Sequence, residues 1–418
     1  MTKTAPLIGD SGIPAYCLKK IGSRHFLVGG GGGASKTGVQ NEIQTHLFTT
    51  DSASPDVGFR AECVDKFDTE SMATMNMDVS GALDEAQERF VIVAGQENFC
   101  CIYMTRGMRL NEDQKLAFEM SKVARIRTDF HSNNSYQKCV RFDRTSRGKI
   151  FATGGADGNV RVWDAQAIFR SENAQPLLTI QAHKADVDDL DFSNDAKTII
   201  SIGAEGAFIW STENGQKLLD LQFPIEIARG FKLRSVRCTP LGVESKNTVF
   251  VAAYNSISRG SKDQASYLAL WAFNAERKMA RPIVTKLMAK GQSISSLSVS
   301  ECGNFTAVGT MSGSVGVFDT HDLSRLHFSP DSHGLFVTGI EFVAATAAVP
   351  LLSGVTPSVV TTPGVSSGFQ TSVVTLAADK TMQLHRVPFS RPRPLTEILL
   401  AISLICLLFS LFSSQFLL

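Results

Sequence analysis

KIFATGGADGNVRVWD, Lys149 to Asp164, is the stretch on which the fold turns. Two short runs rich in β-branched and aromatic side chains flank Asp157-Gly158-Asn159, and the second run ends in Trp163-Asp164. Strand-forming residues on both sides of a turn tripeptide read as a tight antiparallel hairpin. The same pattern recurs in TIISIGAEGAFIWS (Thr198 to Ser211), NFTAVGTMSGSVGVFD (Asn304 to Asp319) and SVVTLAADKTMQLH (Ser372 to His385). Upstream it appears as FVIVAGQENFCCIY (Phe90 to Tyr103), and from Phe250 to Trp271 it is opened by the polar insertion ISRGSKDQ. From His25 to Phe48 the two strands are separated by a glycine-rich insertion, which brings the count to seven.

A hairpin that ends in Trp-Asp and repeats in order along the chain is the signature of a WD-repeat blade. The copies stand between 47 residues (Trp163 to Trp210) and 66 residues (Phe318 to Leu384) apart, a stretched form of the roughly 40 to 45 residue period. The expected fold is therefore all-β: a seven-bladed WD-repeat β-propeller over residues 1–388. A ring must close, and Ile13 to Lys19 is expected to complete the last blade and leave only short protected edges. Ala344 to Gln370 is uncharged and carries Pro350, Pro357 and Pro363, so it is expected to be a long loop within blade seven. Only Glu112 to Ala124 looks helical, with a loop between blades two and three as the other reading. Met72 to Met77 reads as a strand packing alternate residues.

The 418 residues carry 41 basic and 40 acidic side chains, a net charge of +1. That balance provides no field for nucleic acid, whose binding rests on clustered Lys and Arg. The charges stop before Ile398, and Ile398 to Leu418, ILLAISLICLLFSLFSSQFLL, is a 21-residue uncharged run. At 1.5 Å per residue it suffices to cross a hydrocarbon core roughly 30 Å thick. The expectation is a C-terminal transmembrane helix at 398–418 behind a basic linker at 389–397. Arg386, Arg391 and Arg393 place the propeller on the cytosolic side under the positive-inside bias, with almost nothing beyond the membrane. MTKTAPLIGDSG has no apolar core for a secretory signal. The eight scattered cysteines form no C-x-x-C pair and read as reduced thiols, and no histidines stand at metal-binding spacing.

The most unusual local feature is GGGGGASKTGVQN, Gly29 to Asn41, directly after the strand Phe26 to Val28. Aligned as a phosphate loop from Gly30 to Lys36-Thr37, it has Ser35 where the second glycine belongs. It also leads into Glu42 to Phe48, which reads as a strand rather than the helix that phosphates require. Five consecutive glycines lose much entropy on ordering, but they let the backbone fold tightly and expose carbonyl oxygens to a hard cation or a partner surface. On composition, a plain connector and a functional loop both stay open. His183, Ser201, Glu205 and Trp210 mimic a hydrolase triad. Without a nucleophile elbow they read as the buried hydrogen-bond network of a WD-repeat blade.

Taken together, these features resemble a known family, the endoplasmic-reticulum guanine nucleotide exchange factors for the Sar-type GTPase of the COPII coat, in animals the prolactin regulatory element-binding protein family. The resemblance rests on Gly29 to Gly33 with Lys36-Thr37-Gly38-Val39 and Asn41, and on Asp68-Thr69-Glu70 with Ala73-Thr74-Met75-Asn76. It extends to Ala152 to Gly158, Val160 to Trp163 and the C-terminal apolar run, in order along the chain. It implies a cytosolic propeller on the endoplasmic-reticulum membrane that activates a Sar-type small GTPase without covalent chemistry, beside other COPII or ER-exit-site proteins. It also implies that Gly30, Gly31, Gly32, Gly33, Ala34, Ser35, Lys36, Thr37, Gly38, Val39 and Asn41 form the GTPase-contacting loop. A potassium ion is implied at Gly31, Gly32, Gly33, Ala34 and Asn41. The run of five glycines departs from the family's usual form. The alternative is a membrane-tethered scaffold for coat or trafficking proteins that catalyses no exchange.

Overall fold

A computed structural model describes residues 5–34, 38–49, 58–83, 88–171, 173–227, 230–242, 246–258, 264–343, 346–348, 361–363, 368–389, 403 and 405. Seven four-stranded antiparallel sheets surround a central channel. Blade one is Ala15–Ile21, His25–Gly30, Glu42–Thr49 and Arg60–Asp68, and blade two is Asn76–Val79, Val91–Gln96, Phe99–Leu110 and Leu116–Arg127. Blade three is Gln137–Phe142, Ile150–Gly155, Asn159–Asp164 and Leu178–Gln181, and blade four is Val187–Phe192, Thr198–Gly203, Gly206–Ser211 and Lys217–Leu221. Blade five is Phe231–Cys238, Thr248–Ser256, Ala265–Asn274 and Met279–Lys290. Blade six is Ile294–Val299, Phe305–Thr310, Val315–Asp319 and Arg325–Ser329. Blade seven combines Val337–Phe342, Thr371–Ala377 and Thr381–Val387 with Leu7–Asp10 from the other end of the chain. All seven hairpins read from the sequence are the second and third strands of their blades.

The apolar core lies in the seams. Clusters of buried side chains lie at each of the seven blade junctions, for example Val91, Val93 and Ile102 of blade two against Val140, Phe151 and Trp163 of blade three. Ile8, Val374 and Leu384 of blade seven meet Leu18, Phe26 and Val28 of blade one, which closes the circle. A strand whose two faces both meet a neighbouring blade is apolar on both sides, so Thr198–Gly203 is buried at every position.

Three expectations need correction. Leu7–Asp10 closes the ring by pairing Leu7 with Gln383 and Asp10 with Thr381, while the Ile13 to Lys19 region enters Ala15–Ile21, the innermost strand of blade one. Four residues are too few to stand out by alternation. Gly9 is fixed by packing, since a Cβ there would meet the Ala61 carbonyl at 2.6 Å. Glu112 to Ala124 is no helix: Leu116–Arg127 is the outer strand of blade two, paired along Phe99–Leu110, with Ala117 and Phe118 fully buried. Its Ala, Glu, Met and Lys content favours helix, and tertiary pairing overrides it. Met72 to Met77 becomes strand only at Asn76, and Met72, Ala73 and Thr74 are buried in the link before it.

The insertion between the first two strands of blade seven carries a small ribbon, Thr346–Ala348 against Thr361–Pro363, and its other residues from 344 to 367 lie outside the described residues. Ile398 to Leu418 also lies outside them except for Ser403 and Ile405. No helix among the described residues is long and apolar enough to cross a membrane. The seven described cysteines are free thiols, five of them buried, and burial pushes the Cys17 and Cys139 thiols up to about 12.

Antiparallel blades joined from outer strand to next inner strand place their turns on two faces. The links between blades and the turns between second and third strands share one, the loop face. Turns between first and second and between third and fourth strands occupy the other. Thr381–Val387 runs from the loop face to that opposite face and leads out there toward residue 389.

The channel, about 790 Å³, is lined by ionic side chains that tie the inner strands together. Lys19 bridges Asp78 of blade two (3.1 Å) and Glu341 of blade seven (3.2 Å). Arg141 of blade three and Arg237 of blade five both reach Asp189 of blade four, at 3.6 and 2.6 Å. Arg144 holds Asp191 at 3.2 Å, Lys138 holds Asp186 at 2.8 Å, and Lys20 reaches Glu301 at 2.5 Å. Burial raises the Asp189 carboxyl, but the Arg237 and Arg141 guanidiniums outweigh it and hold the group below its ordinary range. Asp78 is held down in the same way by Lys19 and Arg141 against its burial.

On the loop face of blade four, Trp210 Nε1 donates to Ser201 Oγ (2.9 Å), and Ser201 lies 2.9 Å from His183 Nε2. His183 Nδ1 stands 3.2 Å from Glu205. Burial lowers the His183 pKa despite Glu205, so the ring is neutral and the bonds run from Trp210 through Ser201 and His183 to Glu205. This chain fixes the blade and contains no free nucleophile. Ser201→Ala leaves Trp210 Nε1 and His183 Nε2 unsatisfied. The expected loss is about 2–4 kcal/mol of stability, and a urea denaturation midpoint within error of the parent would refute it.

Candidate functional site

The glycine-rich loop joins the second and third strands of blade one and stands on the loop face. Gly29 and Gly30 belong to strand His25–Gly30. A Cβ on Gly29 would meet Cys17 Sγ at 2.7 Å, and one on Gly30 would meet the Pro14 carbonyl at 2.1 Å. Gly31 has φ +133, and a Cβ there would lie 2.3 Å from Asn41 Oδ1. The first three glycines therefore permit close packing, and flexibility is not their use. Gly33 (φ +71) and Gly38 (φ +76) adopt left-handed turns with open space around them. Ser35, Lys36 and Thr37 lie outside the described residues.

Asn41 ties this loop down. Its Oδ1 accepts from Gly33 N–H (2.8 Å), and its Nδ2 donates to the Gly33 carbonyl (3.1 Å) and the Glu70 carbonyl (3.0 Å). The Asn41 carbonyl accepts from Thr69 N–H (2.9 Å), and Gly31 N–H donates to Pro14 O (2.9 Å). Buried Asn41 thus joins both sides of the loop to the link between blades one and two. That link holds Asp68-Thr69-Glu70 and Ala73 to Asn76, so the two stretches singled out in the sequence meet in space.

The second stretch is itself a stitch between blades. Asp68 Oδ1 caps Glu70 N–H (2.7 Å), and Thr74 Oγ1 accepts from Gln96 Nε2 (2.9 Å), which also donates to Tyr103 OH (3.0 Å). Asn76 and Gln137 exchange two bonds, at 3.0 and 2.9 Å, and so couple blade two to blade three.

The oxygens converging on the loop are neutral. Asn41 Oδ1, which accepts from Gly33 N–H, and the Gln40 carbonyl pack close against Gly31, at 2.3 and 2.8 Å from where its Cβ would stand. Uncharged carbonyl oxygens fit a hard monovalent cation better than a small divalent one, which draws carboxylates.

Sequence reading missed the rest of the face. Large exposed apolar residues stand on its links, Phe130, Ile225 at 94% exposure and Leu335, and on its turns between second and third strands, Val39, Ile257 and Met311. Phe130 is held under the guanidiniums of Arg127 and Arg161, each 4.9 Å from the ring centroid. The available signal was apolar residues placed outside the strands, in links and turns, as in HGLFV at 333–337.

Fold and ring closure define a seven-bladed WD-repeat propeller, and residues 125–164 match the WD40 family, WD domain with G-beta repeat. Along nearly its whole length the chain is similar to guanine nucleotide-exchange factor SEC12. It is 25% identical to the Rattus norvegicus protein over 441 residues, which cover 96% of each chain, and 24% identical to the Mus musculus protein over 93% of this chain and 92% of that one. SEC12-like protein 1 of Arabidopsis thaliana is 25% identical over 50% of this chain and 47% of its own. Among solved structures, the computationally designed Ika8 protein matches with a TM-score of 0.52 at 14% identity, covering 91% of this chain and 98% of that one, a likeness of fold alone. The family resemblance drawn from the glycine loop and the Asp68 to Asn76 segment is thus shared across the whole chain.

Proposed function

We propose that this protein is a guanine nucleotide exchange factor that activates a Sar-type small GTPase at the endoplasmic-reticulum membrane, at the start of COPII vesicle formation. The observation that carries the reading is the glycine-rich loop pinned by Asn41 to the Asp68 to Asn76 link, in a chain similar to SEC12 over 96% of its length. Exchange needs no bond chemistry. The factor must bind the nucleotide-free GTPase more tightly than the loaded one, and that difference in affinity expels GDP. A rigid ring holding one braced loop can make contacts that switch segments accept only after releasing magnesium and phosphate. A potassium ion held by Gly31, Gly32, Gly33, Ala34 and Asn41 would brace the loop electrostatically, while Asn41 and Pro14 already position its base. Anchoring through 398–418 would concentrate activated GTPase where the coat assembles. The test is GDP release: the full-length protein is expected to accelerate release of a fluorescent GDP analogue from a Sar-type GTPase at least tenfold, and an unchanged rate would reject the reading.

A further inference from the structure

The channel end on the loop face carries a feature that the ring itself does not use. In six blades the innermost strand slips register near its start, between Ala15 and Cys17, Gln137 and Cys139, Val187 and Asp189, Leu233 and Ser235, Ile294 and Ser296, and Val337 and Gly339. A bulge leaves its extra residue outside the ladder and re-aims the side chain. The extra residue lines the channel in each case, and in blade five it is Arg234.

Among the described residues seven cationic side chains line the channel, and six of them have carboxylate partners within the protein. Arg234 is the exception: among the described residues it forms no ion pair and no hydrogen bond, although its side chain is half-buried. Because Phe231 begins the strand on the loop face, Arg234 sits at the end of the channel nearer the glycine loop. An arginine already partly removed from water lacks part of the screening that makes surface pairs weak. A carboxylate brought to it gains a charge-assisted, bidentate contact.

We propose that the channel mouth receives an acidic side chain of the docked GTPase, with Arg234 as its ion-pair partner. This rests on the exchange-factor reading. The glycine loop grips one part of the partner, and Arg234 fixes its rotation over the ring. Electrostatic contacts of this kind act on association and register.

Full-length protein carrying Arg234→Ala, Arg234→Lys or Arg234→Glu is compared with the parent for binding to the nucleotide-free GTPase and for GDP release, at low and high salt. The expected result is about tenfold weaker binding for Arg234→Ala, less for Arg234→Lys, more for Arg234→Glu, and a shallower salt dependence in the alanine variant. Unfolding midpoints are expected to be unchanged, since Arg234 has no partner within the ring to lose. If the parent accelerates release and Arg234→Ala binds equally well with the same salt slope, the Arg234 contact is refuted while exchange stands. If the parent itself gives no acceleration, the exchange reading falls.

Discussion

Replacing residues 32–40 by a two-residue Asn-Gly turn is expected to return GDP release to the spontaneous rate while the ring stays folded. Strands His25–Gly30 and Glu42–Thr49 pair from His25 with Leu47 to Gly30 with Glu42, so the ladder ends squarely at the loop and a short turn can close it. The blade keeps its seam contacts because Val28, Ile43 and Phe48 lie in the strands. Lost acceleration with an unchanged unfolding midpoint is the signature of a loop that makes the differential contact, and a fall of about tenfold corresponds to roughly 1.4 kcal/mol of that contact. Asn41→Ala gives the intermediate case. The loop remains but loses three hydrogen bonds that hold it to itself and to Glu70, so Gly33 N–H is expected to exchange faster with solvent and activity to fall part of the way. Full exchange activity in the loop-replaced protein would move the function to another part of the face.

The second large effect is on acid stability. Burial lowers His25, His46 and His333 to about 4, and drives His385 well below its ordinary value. These rings are neutral in the folded ring, whereas in the unfolded chain they take up protons near 6.5. Between about 6.5 and 4 the unfolded state therefore binds more protons, and stability falls as pH falls through that window. At pH 5 each of the three amounts to roughly 2 kcal/mol, a large share of the 5–15 kcal/mol that a folded domain commands. Asp78 and Asp189, held low by their cationic neighbours, stay charged at pH 5, and their contribution is lost only further into acid. Urea unfolding at pH 7.5 and pH 5 is expected to show a sharp drop in midpoint, and equal midpoints would show that these histidines are not buried as neutral rings.

The seven hairpins were legible because each is a local pattern: two short strands, a turn, and in the clearest copies a terminal tryptophan. What escaped depended on distant partners. Leu7–Asp10 is a strand only because Thr381–Val387 offers an edge, and nothing in LIGD announces that. Leu116–Arg127 has the composition of a helix and became a strand against Phe99–Leu110. In the glycine loop the positions were legible and the reason was not. Gly29, Gly30 and Gly31 are required by the nearness of Cys17, Pro14 and Asn41, which no spacing within GGGGG reveals. Arg234 was invisible for the same reason, since a bulge exists only relative to the strand beside it.

The pairing of Leu7 with Gln383 sets a timetable for the molecule. The first strand leaves the ribosome with its partner still 376 residues away, and at about 5–20 residues per second it waits roughly 20 to 80 seconds for an edge to join. Six blades can be complete before the seventh is made, so the nascent chain passes through an open arc in which Leu18, Phe26 and Val28 of blade one lack their blade-seven partners. Chaperone capture and quality control would act in that interval, on an open ring whose first strand, Leu7–Asp10, still waits for Thr381–Val387.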